Sequence, residues 1–421
     1  MSRRTPLVGW LTAETISLTG TRVSMIAIPW FVLTTTGSAT QTGVVAFAEM
    51  APYVLAKALA GPLVDRIGAR RVCVATDSAS FAAVGAIPLL HAVDVLTFPL
   101  LVALVAVAGA LRGPADGAKH ALVPAVADAS AVPMERVTGL AGAAERLAST
   151  VGAAAAGLVV VAVGPAPALV IDAASFAVAA LLIALTAPGG TAGAEGPDDA
   201  APYLTRFREG WRFLRHDPVL VAITGMVAVT NLLDQAYVVV LVPVWAERSG
   251  GGAAVIGLLF ATFSAFAVLG SVIAATIAER LPRRLVYLVA FLIVGAPRFV
   301  VLAIDAPLAV VLAVAVVGGF ATGFINPILG AVIFERIPAR LVGRVTGLTT
   351  SLCWALIPLG GLAGGLAVGG VGLTPALLVF GAAYFAATTL PALLPQWREI
   401  DRRPAPAASE VAVAVRDPSA V

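Results

Sequence analysis

The chain reads as an all-α polytopic membrane protein: 12 transmembrane helices in two six-helix pseudo-repeats, with both termini cytoplasmic. Three observations predict this. The composition is too apolar for a soluble domain, twelve separate runs are long enough to cross a bilayer, and the second half repeats motifs of the first. Of 421 residues 59% are hydrophobic and 12% charged, against roughly 25% charged in soluble proteins. The mean hydropathy is +0.97.

Runs of about 20 apolar residues separated by turn and charge signals are the pattern of bilayer-crossing helices. They place spans 1 to 12 at 8–34, 41–61, 71–91, 98–120, 136–162, 167–188, 217–245, 254–279, 284–303, 306–331, 344–368 and 373–395. Arg3 and Arg4 precede a first run of about 26 mostly apolar residues, too long for a cleaved signal peptide. The loops sort by charge. One side carries Arg3 and Arg4, then Arg66, Arg70 and Arg71, then Lys119 and Arg136, then Arg206 to Arg215, Arg280 to Arg284, Arg336 to Arg344 and the tail arginines; the other carries Arg248. The positive-inside rule puts the first side, with both termini, in the cytoplasm.

The same rule explains the net charge of +3. The basic residues form no patch interleaved with aromatics, so nucleic acid is not expected as a partner. Cys73 and Cys353 sit in apolar segments, and His91, His120 and His216 show no ligand spacing. Neither a disulfide framework nor a metal site is expected.

An internal repeat sets the organisation. Arg136-Val-Thr-Gly-Leu140 recurs as Arg344-Val-Thr-Gly-Leu348. The same offset carries Gly152 onto Gly360, Gly157 onto Gly365, Gly164 onto Gly372 and Pro167-Ala-Leu onto Pro375-Ala-Leu. Span 5 and span 11 are thus one element written twice, and the boundaries follow: a first half over 1–188, a linker over 189–216, a second half over 217–395 and a tail over 396–421. The linker opens Gly/Ala/Pro-rich with Asp198-Asp199, as flexible linkers do. It closes with an amphipathic helix that puts Leu204, Phe207, Trp211 and Leu214 on one face and arginines on the other. Such a helix lies on the inner leaflet. The Ala/Pro/Arg-rich tail is expected to be disordered.

Between spans 2 and 3 stands Gly61-Pro-Leu-Val-Asp65-Arg66-Ile-Gly68-Ala-Arg70-Arg71. Gly61-Pro62 is expected to end one helix and Gly68 to allow a tight reversal. This loop resembles the signature loop of the major facilitator superfamily, with Ala69 where that pattern has a basic residue. Phe207-Arg-Glu-Gly-Trp-Arg-Phe-Leu214 and Glu335-Arg-Ile-Pro-Ala-Arg-Leu-Val-Gly-Arg-Val345 are similar to segments of its macrolide, tetracycline-type multidrug and siderophore exporters. The resemblance implies two halves rocking about a site near the bilayer midplane, lined by spans 1, 4, 7 and 10. It also implies a gating role for Gly61, Asp65, Arg66, Gly68, Arg70 and Arg71. Asp65 would meet the start of span 11 near Arg344 to Gly347 in the outward-open state, with Asp77 as the loop's partner. The second-half counterpart, Glu279 to Arg284, keeps an acid and three arginines but no glycine.

A charge at the centre of a span costs about 2.5–3.5 kcal/mol on insertion scales, so each needs a partner, water or a function. Arg22 lies near the middle of span 1, with Glu14 two turns nearer the cytoplasm. Arg112 and Asp116 share a face of span 4 at i, i+4 spacing. Glu49 and Lys57 lie on span 2, Glu145 on span 5, and Asp234 with Asn231 and Gln235 on span 7. These groups are either a static set of ion pairs or proton carriers. Glu49 and Asp116 are the first candidates for proton coupling, and Glu145 is next. Asp172, Arg298, Asp94 and Asp305 fall toward outer ends of spans and read as bystanders. Gly152, Gly157, Gly360, Gly361, Gly364 and Gly365 read as helix-packing glycines. They resemble the family's antiporter motif, with Ala153 at its proline position.

No Gly-x4-Gly-Lys-Ser/Thr stretch is present, and Lys57 and Lys119 are the only lysines. ATP is therefore not expected to supply energy, and no cofactor is expected. The resemblance implies a non-enzymatic, proton-coupled exporter of amphipathic small molecules in a bacterial inner (plasma) membrane. Its partners would be the substrate, protons and the lipid bilayer, and it would act as a monomer. The alternatives are a siderophore exporter, a nutrient symporter or facilitator of the same fold, and a membrane sensor without transport.

Overall fold

The computed structural model describes residues 4–189, 203–277, 280–338 and 341–393, with 397 and 400. Most of the 189–202 linker, Glu279 and the tail beyond 400 lie outside the described residues, as do the side chains of Leu204 and Phe207. Among the described residues there is no β-strand. In lipid each backbone polar group must be satisfied within its own segment, which is why apolar runs of this length fold as helices.

The first half comprises α1 (Thr5–Thr36), α2 (Ala39–Ile67), α3 (Ala69–Ala92), α4 (Phe98–Ala121), α5 (Val123–Ser130), α6 (Met134–Val163) and α7 (Pro165–Thr186). α8 (Tyr203–His216) follows. The second half comprises α9 (Pro218–Ala236), α10 (Val242–Arg248), α11 (Gly252–Ile277), α12 (Arg283–Val294), α13 (Ala296–Ala303), α14 (Leu308–Arg336), α15 (Val342–Ala355), α16 (Ile357–Val371) and α17 (Leu373–Leu393). Among the described residues twelve segments are long and apolar enough to cross a membrane, one for each run expected from the sequence. Four spans are composite: α4–α5, α9–α10, α12–α13 and α15–α16 form spans 4, 7, 9 and 11.

Prolines account for much of that segmentation. Span 7 widens to a π-helical turn over Tyr237–Leu241 just before Pro243, whose ring would crowd the carbonyl four residues back. Span 9 breaks at Gly295 before Pro297, and span 11 at Leu356 before Pro358. Span 2 departs from expectation in the other direction. Gly61 and Pro62 do not end it; α2 runs on to Ile67, because one missing donor is tolerated where later turns restore the ladder. Gly68, at φ 94°, makes the whole reversal into α3, so Asp65 and Arg66 sit on the last turn of a helix and not in a loop.

The packing repeats with the chain. Span 1 packs on 5 and 6, span 2 on 4, and span 3 on 4 and 6; span 7 packs on 11 and 12, span 8 on 10, and span 9 on 10 and 12. The halves meet mainly along two helix pairs, spans 2 with 11 and 5 with 8. Thr5 and Leu393 share one end of the bundle, the near end, and the turns at Gly37, Gly164 and Gly372 lie at the far end.

Both inter-half seams close toward the far end through glycine. Gly157 lies against Gly257, where a Cβ would come within 2.7 Å of the opposing Cα. Gly361 and Gly365 lie against Gly43, Ala46 and Ala39, and Thr40 Oγ1 donates to the Gly365 carbonyl at 3.2 Å. Toward the near end Gly61, Gly139, Gly142 and Gly347 face open space. The far-end part of span 11, α16, packs along α2 whereas its near-end part, α15, barely touches it, so the halves are joined at the far end and parted at the near end.

α8 closes the near end of the second half. Leu214 is buried with Leu220, Ile337, Leu341 and Val345, while Arg344 donates to Glu209 at 2.6 Å. Trp211, expected on the apolar face with Leu214, is 44% exposed, as a side chain facing lipid would be.

Candidate functional site

Span 2 presents Glu49, Tyr53 and Lys57 at i, i+4, i+8 along one face, and span 4 answers with Arg112 and Asp116. Gly109 and Gly113 leave no room for a Cβ against the Glu49 carbonyl and the Tyr53–Lys57 backbone. That explains the glycine directly after Arg112: it brings the two backbones together. Arg112 Nη1 lies 3.6 Å from Glu49 Oε1, and its guanidinium stands 5.2 Å over the Tyr53 ring. Tyr53 Oη donates to Asp116 at 2.9 Å, and Lys57 Nζ donates to Tyr53 Oη at 3.0 Å. Lys57 also stands 3.8 Å from Asp116. The expected Arg112–Asp116 grouping is present, but each residue takes its partner from span 2.

A second cluster joins spans 1, 3 and 4. Asp77 faces Lys119 at 3.6 Å, and Lys119 Nζ donates to Ser17 at 2.8 Å. Glu14 stands on the same helix as Ser17, with Oε2 buried and unpartnered. Asp77, expected to meet the 61–71 segment, turns inward to span 4 instead. Arg70 of that segment donates to the Ala184 carbonyl on span 6. Asp65, Arg66 and Arg71 are exposed.

Two groups expected as bystanders are enclosed between helices, Asp172 buried and Arg298 half-buried. Asp172 accepts hydrogen bonds from Ser24 and Ser175 between spans 6 and 1. Arg298 pairs with Asp234 and stands 4.7, 5.0 and 4.8 Å over the rings of Tyr237, Phe299 and Tyr384. Asp94 and Asp305 occupy far-end turns with positive φ, as short polar residues there do. Neither Tyr53 nor Trp354 stands out in the sequence, although Lys57, four residues after Tyr53, marks that face of span 2.

Between the halves, a cavity of about 260 Å³ is lined by Arg22, Met25, Ser149, Ala153, Phe260 and Phe263. Arg22 Nη2 donates to Ser149 at 2.8 Å across spans 1 and 5, and Gly152 lies against its stem. A neighbouring cavity of about 320 Å³ continues along spans 5 and 8 past Glu145 and Ser264. Spans 8 and 10 repeat the glycine contact of spans 2 and 4, with Gly319 on the Phe263 carbonyl and Gly323 on Gly270–Ser271. Phe263 therefore stands where Glu49 stands in the first half. At this matched position the first half carries a carboxylate and the second an aromatic ring, while the second half keeps its own ion pair, Arg298 with Asp234, beside Phe260 and Phe263.

The glycines expected to pack helices divide by face. Gly361 and Gly365 meet span 2, Gly360 and Gly364 meet span 7, Gly157 meets span 8 and Gly152 meets span 1. Among the described residues no group of three His, Cys, Asp or Glu could hold a metal ion.

The profile of the Major Facilitator Superfamily matches residues 11–251 and 224–418. The multidrug efflux pump Tap of Mycobacterium tuberculosis is 32% identical over 423 residues, covering 96% of each chain. The pump of the same name from Mycolicibacterium fortuitum is 28% identical over 409 residues, covering 95% of this chain and 98% of the relative. Among solved structures, a bacterial homologue of the human lysosomal transporter Spinster, inward-facing and unoccupied, superposes with TM-score 0.73 at 14% identity, covering 96% and 99%. The nucleoside transporter NupG gives 0.69 at 15% identity, covering 93% and 98%. At these identities the structural likeness speaks for the fold alone.

Proposed function

This chain belongs to the Major Facilitator Superfamily and is a membrane transporter, not an enzyme; we propose that it exports amphipathic small molecules across a bacterial plasma membrane in exchange for protons, by alternating access. The observation that carries this reading is the pair of matched positions on spans 2 and 8, Glu49 in the first half and Phe263 in the second. Glu49 stands in a group of ionisable side chains with Arg112 and Asp116. Phe260 and Phe263 face the cleft from the second half among apolar neighbours, a surface suited to the apolar part of a cargo. The relatives named as multidrug efflux pumps support a drug or antibiotic as that cargo.

The positive-inside rule makes the near end cytoplasmic. On that assignment the parted near end is an inward-open cleft, and the glycine seams are the closed outer gate. Glu49 and Asp116 exchange protons with the cleft as access alternates, each releasing its basic partner when protonated. No nucleotide enters the cycle. Each charge moved is worth about 2.3 kcal/mol per 100 mV, enough to drive an uphill gradient of cargo.

Flux into inside-out proteoliposomes under an imposed pH gradient, with a panel of dyes and antibiotics, tests this. Gradient-dependent accumulation of at least one amphipathic compound is expected. Absence of flux for every compound, or flux indifferent to the gradient, would reject it.

A further inference from the structure

Lys57 has neighbours that a membrane-buried lysine does not need merely for solubility. Its ammonium hydrogen-bonds the Tyr53 hydroxyl at 3.0 Å, lies 3.8 Å from the Asp116 carboxylate and stands 4.4 Å over the Trp354 ring. The carboxylate and phenol belong to the first half and the indole to the second, and the two rings lie 6.1 Å apart. A carboxylate and an aromatic face around one cation form the arrangement that recognises organic ammonium groups. The side chain of Lys57 is 37% exposed and that of Asp116 26%, so the site is not sealed.

We propose that Tyr53, Asp116 and Trp354 form a binding site for the ammonium group of an amphipathic amine, and that Lys57 fills this site in the absence of cargo. This rests on the transport reading and narrows its substrate class to organic cations. Lysine suits such a placeholder because its four-carbon stem is flexible and its ammonium is a point charge that leaves without breaking a bidentate fork. When a cargo ammonium enters, Lys57 swings into the cleft. The empty state thereby keeps Asp116 neutralised, and cargo binding exchanges one cation for another with no net change of charge at the carboxylate. Because Trp354 sits on the opposite half, an occupied site also bridges the two halves at mid-depth.

Equilibrium binding of benzyltrimethylammonium, with benzyl alcohol as the uncharged comparator, tests this by calorimetry on the purified full-length protein in detergent. Lys57→Gln removes the competitor. The ammonium is expected to bind this variant about tenfold more tightly than wild type, the scale of one desolvated cation–π contact. Benzyl alcohol is expected to change less than twofold. Trp354→Leu in the Lys57→Gln background should abolish the gain, and Trp354→Phe should keep part of it, which separates loss of the site from loss of the fold. Equal responses of the two probes to Lys57→Gln, weaker ammonium binding to that variant, or binding of neither probe would overturn the proposal. No gradient or flux enters the measurement. A protein that binds the ammonium in this pattern but moves nothing in vesicles would contradict the transport reading alone.

Discussion

Asp77 on α3 and Lys119 on α4 form an ion pair at 3.6 Å with side chains 0% and 4% exposed. The pair ties span 3 to span 4 beneath the Gly68 turn, while Ser17 on span 1 takes a further bond from the ammonium. It holds together the near end of the first half, next to the segment that resembles the family's signature loop.

Breaking such a pair from one side leaves a buried charge, which costs about 3–5 kcal/mol. Lys119→Met is therefore expected to lower thermal stability in detergent sharply, and Asp77→Leu in the same chain to restore most of the loss. Melting temperatures of the two single variants and the double variant check this. A double variant as unstable as either single one would show that the pair does not act as a unit.

The far-end seam depends on the absence of side chains. With Gly157 and Gly257 backbone to backbone, Gly157→Val has no space unless the helices separate. Spin labels on Thr36 and Gly250, in far-end turns of opposite halves, are expected to report a longer distance in this variant than in wild type. An unchanged distance would mean that the seam does not govern closure.

How much of this is legible in the sequence depends on how far each inference reaches along the chain. The twelve spans follow from run length, and the Glu49, Arg112 and Asp116 group from the cost of charge in lipid together with helical spacing. These are local properties. The partners are not, because which carboxylate meets which cation is set by inter-helix register. In the sequence Lys119 reads as a loop cation and Arg298 and Asp172 as end-of-span groups, yet each is paired with a side chain of another span. Local pattern gives the cost of burying a charge but not the distant helix that will face it. Pro62 misleads for a simpler reason: as a helix breaker it weighs less in a span whose following turns re-form the ladder.

Asp65 stands exposed on the last turn of α2, and Arg344, its expected partner region, is engaged by Glu209 of α8. With the near end parted, the two halves do not offer the contact, and the proposed outward-open state is where it is expected. Asp65→Asn is expected to slow transport severalfold while leaving cargo affinity within about twofold, since a latch shifts populations and not the site. Flux and equilibrium binding measured on the same preparation separate the two effects. Loss of affinity with normal flux would assign Asp65 to binding instead.

Proton coupling through the first half is tested most directly by comparing two modes of transport in the same vesicles: accumulation driven by a pH gradient, and exchange of labelled for unlabelled cargo without one. Glu49→Gln and Asp116→Asn are each expected to lose gradient-driven accumulation, by at least about tenfold, the weight of one functional ionisation, while at least one of them retains exchange. Gradient-driven accumulation at wild-type levels in both variants would contradict the assignment of the coupling proton to these carboxylates.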